Sequence, residues 1–311
     1  MTAAVTRVLQ EFDCLTKAGS QDEIKLFRAL VKALHAAAPT VVVEEYHGSG
    51  HQLWHTTAAS VGLGSRRCEL SDLMMITYHA TGHPAPRLSY LQAKYERVHR
   101  DGLRNPHADY VQWSLLSSKP TIAGCANFQP PSDLLSASLL PSIGSFGFFV
   151  DGSSRKAGRF DLAYAAADLL APTHTPVAGR KSGRLRLTGG ELGLLPLPGG
   201  GHQDHSTSRC INGYDELSAS SSLGLYLESL FALRVGSPLV RRPQGGGWWL
   251  SQELRRLTGP LAQHLADVLS NMPRPDNAPQ EALDYGGERS TANVPAKRLI
   301  IMRVDEQETV R

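Results

Sequence analysis

Cysteine is sparse in this chain and scattered. The four residues, Cys14, Cys68, Cys125 and Cys210, share no short spacing, which argues against both a zinc ribbon and a disulfide-stapled scaffold. Long apolar runs are missing too, so no membrane-spanning helix of about 18 uninterrupted apolar residues is expected. The first residues lack the basic stretch and apolar core of a secretory signal. Neither sign of charge dominates: 32 Lys and Arg against 29 Asp and Glu leave a net charge of +3. Such a balance permits a polyanionic partner without demanding one. There is no P-loop, no dinucleotide fingerprint and no internal repeat, and Ser142-Ile143-Gly144-Ser145 lacks nucleophile-elbow spacing. Together these absences lead to the expectation of a reduced, cytoplasmic globular protein with no membrane partner.

The 311 residues are 41% hydrophobic and 20% charged, enough to bury a sizeable core. Ser20 to Glu23 has capping-box spacing, and Ile24, Phe27, Leu30, Val31 and Leu34 follow on one helical face that ends near Pro39. The β-branched run Thr40–Tyr46 predicts a first strand, and His51 to about Ser60 a helix. Cys68–Tyr78 and Arg87–Tyr95 are short apolar runs with polar or Gly/Pro flanks, which predicts two strands. The link between them carries Gly82, Pro84 and Pro86, suiting a hairpin. Further on, helices are expected over Asp109–Ser117, the Ala-rich Phe160–Leu170, Tyr214–Leu233 and, after a Gly245–Gly247 hinge, Trp248–Asn271. Strands are expected over Ser145–Val150 and Arg298–Val304. Gly, Pro, Ser and His accumulate over 172–213, where only Arg184–Thr188 alternates. That stretch reads as an irregular, mobile insertion between a core over 1–171 and C-terminal helices with a closing strand over 214–311.

Asp72 near the start of one expected strand, and Gln92 and Lys94 at the end of its neighbour, would gather polar groups at one end of a buried hairpin. Burying an acid and a lysine costs free energy unless they pair or bind something. Strand periodicity puts Gln92 and Lys94 on one face, with Ala93 pointing the other way. The plain alternative is that Asp72 caps a turn and Lys94 is a surface charge at a strand end.

The pattern Asp72…Gln92-Ala93-Lys94 resembles the PD-(D/E)xK superfamily of metal-dependent nucleases in its Gln-x-Lys variant. The resemblance covers roughly residues 20–150. It implies an α/β protein with a restriction-endonuclease-like core of helix, three strands, helix and strand, a mixed sheet flanked by helices. It further implies Mg²⁺ or Mn²⁺ held by Asp72, the Gln92 amide oxygen and the Ala93 carbonyl, with Lys94 orienting water or stabilising developing charge. A second acid is usual in the superfamily, and Glu69, Glu45 and Glu44 are the candidates. Glu69 lies an odd number of positions from Asp72, so both would meet one ion only across a bulge or turn. A neutral Gln92 in place of Glu should weaken metal binding. The implied activity is DNA cleavage in restriction or antiviral defence, with a partner ATPase, helicase or other defence protein and a homo-oligomer both open. An RNase on the same core, or a catalytically weak scaffold subunit, are the rivals.

Other signals are weaker. His51 and His55 have the spacing of a zinc-protease helix, but Gln52 stands where the general base would be, and an amide cannot take a proton. His202, Asp204 and His205 in a Gly-rich loop offer metal-ligating chemistry, or a solvated loop. Basic groups at Arg66-Arg67, at Arg97, Arg100 and Arg104, at Arg180, Lys181, Arg184 and Arg186, and at Arg241-Arg242 would suit phosphate contacts or a solvated face. The Trp248-Trp249 pair would suit base stacking or core packing.

Overall fold

The structure, a computed structural model, describes residues 1–17, 21–37, 41–47, 52–55, 66–125, 130–152, 159–176, 181–193, 195–197, 201–239, 246–272 and 298–304. Helices α1 (Ala3–Thr16) and α2 (Glu23–His35) open the chain. Thr2 caps α1 by accepting from the Val5 amide at 3.3 Å. Asp22, rather than Ser20, caps α2 by accepting from the Lys25 amide at 2.8 Å; Ser20 lies outside the described residues. Each helix buries the stripe its spacing defines, Val5, Val8 and Phe12 on α1 and Leu26, Phe27, Leu30, Val31 and Leu34 on α2.

A nine-stranded mixed sheet forms the centre. Its main path runs β1 (Val41–His47), β17 (Arg298–Val304), β4 (Leu73–Tyr78), β5 (Arg87–His99), β8 (Gly144–Asp151), β9 (Phe160–Ala166), β15 (Tyr214–Ser220) and β14 (Ser206–Ile211), and β16 (Ser237–Pro238) pairs with β5. The expected hairpin is present: β4 and β5 are antiparallel from Leu73 opposite Leu91 to Thr77 opposite Arg87. The C-terminal strand β17 lies parallel to β4 and separates it from β1.

Both faces of this sheet are covered. On one, Met74, Ile76, Tyr78, Leu88, Tyr90, Phe146 and Phe148 share a core with α3 (Tyr110–Ser118), α5 (Gly246–Arg255) and α6 (Pro260–Asn271). On the other, Leu73, Met75, Leu91, Ala93 and Phe149 pack with α1, α2 and α4 (Leu223–Phe231). Burial on both sides is why β4 reads as a nearly continuous apolar run rather than an alternating one.

Three small sheets complete the described fold. They are β3 (Arg66–Glu69), β2 (Gln52–His55) and β7 (Ile122–Gly124); β10 (Leu170–Pro172), β11 (Ser182–Leu187) and β6 (His107–Asp109); and the pair β12 (Leu195–Leu197) and β13 (Gly201–Gln203).

Several expectations are corrected. The helix expected from His51 gives way to strand β2 over Gln52–His55, where Leu53 and His55 are buried and Trp54 is exposed, a period of two. Phe160–Ala166 is strand β9, held between β8 and β15. Its alanines favour helix locally, but their small size suits a strand buried on both faces, and tertiary packing overrides propensity. The helix expected over Tyr214–Leu233 is half strand, β15, and only then α4, which Ser222 caps through the Leu225 amide. Trp248–Asn271 is two helices, broken at Gly259-Pro260, and Gly246 and Gly247 form the first turn of α5 instead of a hinge. Within 172–213, strands β11 to β14 replace much of the irregular stretch, and β14 joins the central sheet. Among the described residues no helix is long and apolar enough to cross a membrane.

Candidate functional site

The ladder between β4 and β5 stops at Leu73 and Leu91, yet β5 continues to His99. Past that point one side of β5 has lost its partner strand. Asp72, just before β4, fills the gap: its Oδ2 accepts from the Ala93 backbone N–H at 3.1 Å and from the Gln92 side-chain Nε2. Asp72 is thus not within the strand, as expected, but at the bend that precedes it. Gln92 Nε2 lies 3.4 Å from the Ala93 carbonyl oxygen. Asp72 and Gln92 are 7% and 1% exposed, so their polar atoms have little access to water.

One atom of this cluster is unsatisfied. Gln92 Oε1 is buried and has no hydrogen-bond partner, a state that costs free energy in a folded interior. Turning the carboxamide half a turn would bring Oε1 to where Nε2 stands, beside Asp72 Oδ2 and the Ala93 carbonyl. Three oxygens facing one another repel unless a cation lies between them. Carboxylate, amide and carbonyl oxygens are the donors that hard divalent ions take. In that turned orientation, and not in the one present, the three oxygens would suit a divalent cation.

Lys94 follows a different course. The burial alternation of β5 puts Gln92 and Lys94 on the α3 face, but the Lys94 ammonium reaches Glu23 Oε1 at 3.6 Å, on the first residue of α2. That helix packs on the opposite face. Glu23 is the residue that sequence reasoning missed. It was read only as part of a helix cap, although an acid opening the helix before the first strand was an available signal.

The proposed second acids are dispersed. Glu69 ends β3, opposite Gln52 in a small sheet, and a bend at Leu70–Ser71 separates it from Asp72. Glu44 and Glu45 lie on β1, with β17 between them and β4; Glu45 is two strand spacings from β4, about 10 Å. Among the described residues no three His, Cys, Asp or Glu side chains converge as a metal group.

The weaker signals are largely absorbed by structure. His51 lies outside the described residues, and His55 is buried at 2% exposure with neither ring nitrogen hydrogen-bonded. Desolvation holds its pKa below the ordinary histidine value. Asp204 pairs with Arg100 at 3.0 Å, and Arg100 also pairs with Asp161. His205 Nε2 lies 2.7 Å from the Glu191 carbonyl. Arg67, Arg97, Arg104, Lys181, Arg184 and Arg186 are exposed, while Arg180, Arg241 and Arg242 lie outside the described residues.

Comparison with family models, with curated proteins and with solved structures gave no match to this chain.

Proposed function

We propose that this protein is a metal-dependent endonuclease that cleaves DNA, built on a restriction-endonuclease-like core, with a role in restriction or antiviral defence. One observation carries the reading: Asp72 Oδ2, the Gln92 carboxamide and the Ala93 carbonyl meet at the end of the β4–β5 ladder, with the Gln92 Oε1 acceptor buried and unused. Setting aside the strands of the small sheets, β2, β3, β6 and β7, the order α2, β1, β4, β5, α3, β8 supports it as a helix, three strands, a helix and a strand. The insertion of β17 between β1 and β4 is a departure that this core has to absorb.

In this reading Asp72, Gln92 and the Ala93 carbonyl hold Mg²⁺ or Mn²⁺. The bound ion supplies an acidified water and neutralises charge on the scissile phosphate. Asp72 is fixed for this role by the Ala93 amide, so its carboxylate needs little reorganisation. Lys94 lies two residues along the same strand from Gln92, but its ammonium rests on Glu23 toward the α2 face and has to swing back to the Gln92 face to meet a phosphate there. An ion pair this exposed is worth at most about 1 kcal/mol, so a phosphate can compete for the lysine.

A second reading is favoured by the same pair. With Gln92 donating to Asp72 and Lys94 held by Glu23, the site is self-satisfied except at one atom, as expected of a scaffold subunit that binds metal weakly. Purified protein incubated with plasmid DNA and matched RNA, in Mg²⁺, in Mn²⁺ and in excess chelator, separates the readings. Metal-dependent DNA cleavage that Asp72→Ala abolishes is the expected result. Cleavage that persists in chelator ends the metal mechanism, and exclusive cleavage of RNA replaces the substrate. Inertness with every nucleic acid, the native partner included, favours the scaffold.

A further inference from the structure

The small sheet β3–β2–β7 presents an outer face on which Arg67, Trp54 and Ala123 stand side by side. Trp54 is the direct register partner of Arg67 on one flank and of Ala123 on the other. All three are exposed, and Trp54 is 44% exposed, one of few large apolar side chains left in water. The opposite face explains the arrangement: Leu53, His55 and Ile122 are buried there, and Leu53 and Ile122 join the core that holds Met74 and Tyr90. Strand alternation then obliges Trp54 to point outward. Core packing, the ordinary reason for a tryptophan, does not account for it.

We infer that this face binds an unpaired stretch of DNA, one base stacking on the Trp54 indole while the Arg67 guanidinium holds an adjacent phosphate. The ligand rests on the nuclease reading; the platform rests on the sheet. Three features favour this occupant. An indole offers a flat surface to any base, and stacking of this kind is the sequence-tolerant part of single-strand binding. Arg67 supplies a positive charge on one side of the ring; Glu69, two residues on and on the same face, leaves the Arg67 end as the one toward which a phosphate is drawn. On the other side Ala123 is too small to cover the ring.

Location joins the platform to the candidate site. β3 runs from Arg67 into Glu69, and Asp72 follows three residues later. Asp72 is five positions along the chain from Arg67, so their Cα atoms lie no more than about 18 Å apart. The small sheet also packs on the face of the central sheet to which alternation assigns Gln92. A strand held on Trp54 is therefore tethered within a few nucleotides of Asp72. Duplex DNA keeps its bases stacked on each other and cannot offer one to Trp54, so the surface discriminates for unpaired DNA.

The test measures binding without cleavage, on the full chain, in chelator. Fluorescence anisotropy with a labelled oligothymidylate is expected to show binding that Trp54→Ala weakens at least about 10-fold, the range for loss of a stacked base. Trp54→Phe keeps a ring and should stay within about 3-fold. Arg67→Ala should weaken binding and lower the salt dependence by about 0.7 in the log–log slope, one phosphate contact on a single strand. The intrinsic fluorescence of the wild type should be quenched on binding, and that of Trp54→Phe much less. Thermal unfolding checks that each variant is folded; should Trp54→Ala fail to fold, Trp54→Phe and its lost quenching decide. Wild-type affinity in folded Trp54→Ala overturns the proposal, as does equal affinity for duplex, or preference for single-stranded RNA. A protein that binds through Trp54 but never cleaves would end the nuclease reading and leave the platform standing. A protein that cleaves with unaltered KM after Trp54→Ala would do the reverse.

Discussion

Two of the places where this molecule buries charge do so in different ways. Around Arg209 the charges close on each other. Its guanidinium makes a two-pronged contact with Asp168, at 2.8 and 3.0 Å, and its Nε donates to Glu216. Glu216 is fully buried and also accepts from the Ser142 amide at 3.3 Å. At the end of the β4–β5 ladder, Asp72 accepts from Gln92 and from the Ala93 amide, and Gln92 Oε1 is left over. The first arrangement ties β14, β15 and the turn after β9 together. The second keeps a carboxylate and an unused acceptor at an open strand end. Charge closed on charge ties elements together; a carboxylate beside an unused acceptor is where a cation would gain most.

Breaking the architectural side should show the largest effect. Arg209→Ala leaves Glu216 buried without its counter-charge, which should cost about 3–5 kcal/mol, read as a lowered midpoint in urea unfolding. A loss under about 1 kcal/mol would mean that the Arg209 cluster is solvated and that the contrast is false. On the other side, Asp72→Ala and Lys94→Ala should each cut metal-dependent DNA cleavage at least about 100-fold while the folded protein persists by circular dichroism. If Asp72→Ala unfolds the protein instead, Asp72 is a cap and the two regions are alike.

Gln92→Glu sharpens the comparison. It sets a second carboxylate against Asp72, so the metal-free variant should be less stable than the wild type near neutral pH. Mg²⁺ should reverse this, by about 2.7 kcal/mol when present at 100 times its dissociation constant. Calorimetric unfolding with and without Mg²⁺ measures it, and an unchanged response to Mg²⁺ would show that no cation enters.

His55 supplies a smaller, pH-dependent effect. Burial holds its folded pKa below the ordinary value, so below about pH 6.5 the unfolded chain takes up a proton that the folded one refuses. Stability should therefore be retained above that pH and lost as pH falls, by no more than about 1.4 kcal/mol per pH unit from this group. His55→Leu should flatten that part of the profile. Smallest of all is a difference in thiol chemistry. Burial pushes the Cys68 thiol up to about 12, whereas Cys14 and Cys210 are exposed. Iodoacetamide at pH 8 should label the latter pair well before Cys68, as followed by mass spectrometry.

The sequence by itself determined the helical stripes of α1 and α2, the β4–β5 hairpin, α3, β8 and the strand character of β17, because each carries its period, its caps or its turn residues locally. It also marked Asp72, Gln92, Ala93 and Lys94. Only the tertiary structure decided that Phe160–Ala166 and Tyr214–Ser220 are strands, since their place between neighbours buries both faces and outweighs local helical preference. The same holds for β17: its residues announce a strand, but nothing in them says that it lies between β1 and β4, a pairing of the chain's two ends. At the candidate site, spacing placed Gln92 and Lys94 on one face, and that much was legible. The turn of Lys94 toward Glu23, the Ala93 amide on Asp72 and the unused Gln92 oxygen were not. They depend on where β4 stops while β5 runs on, and a strand's end is set by its partner rather than by its own residues.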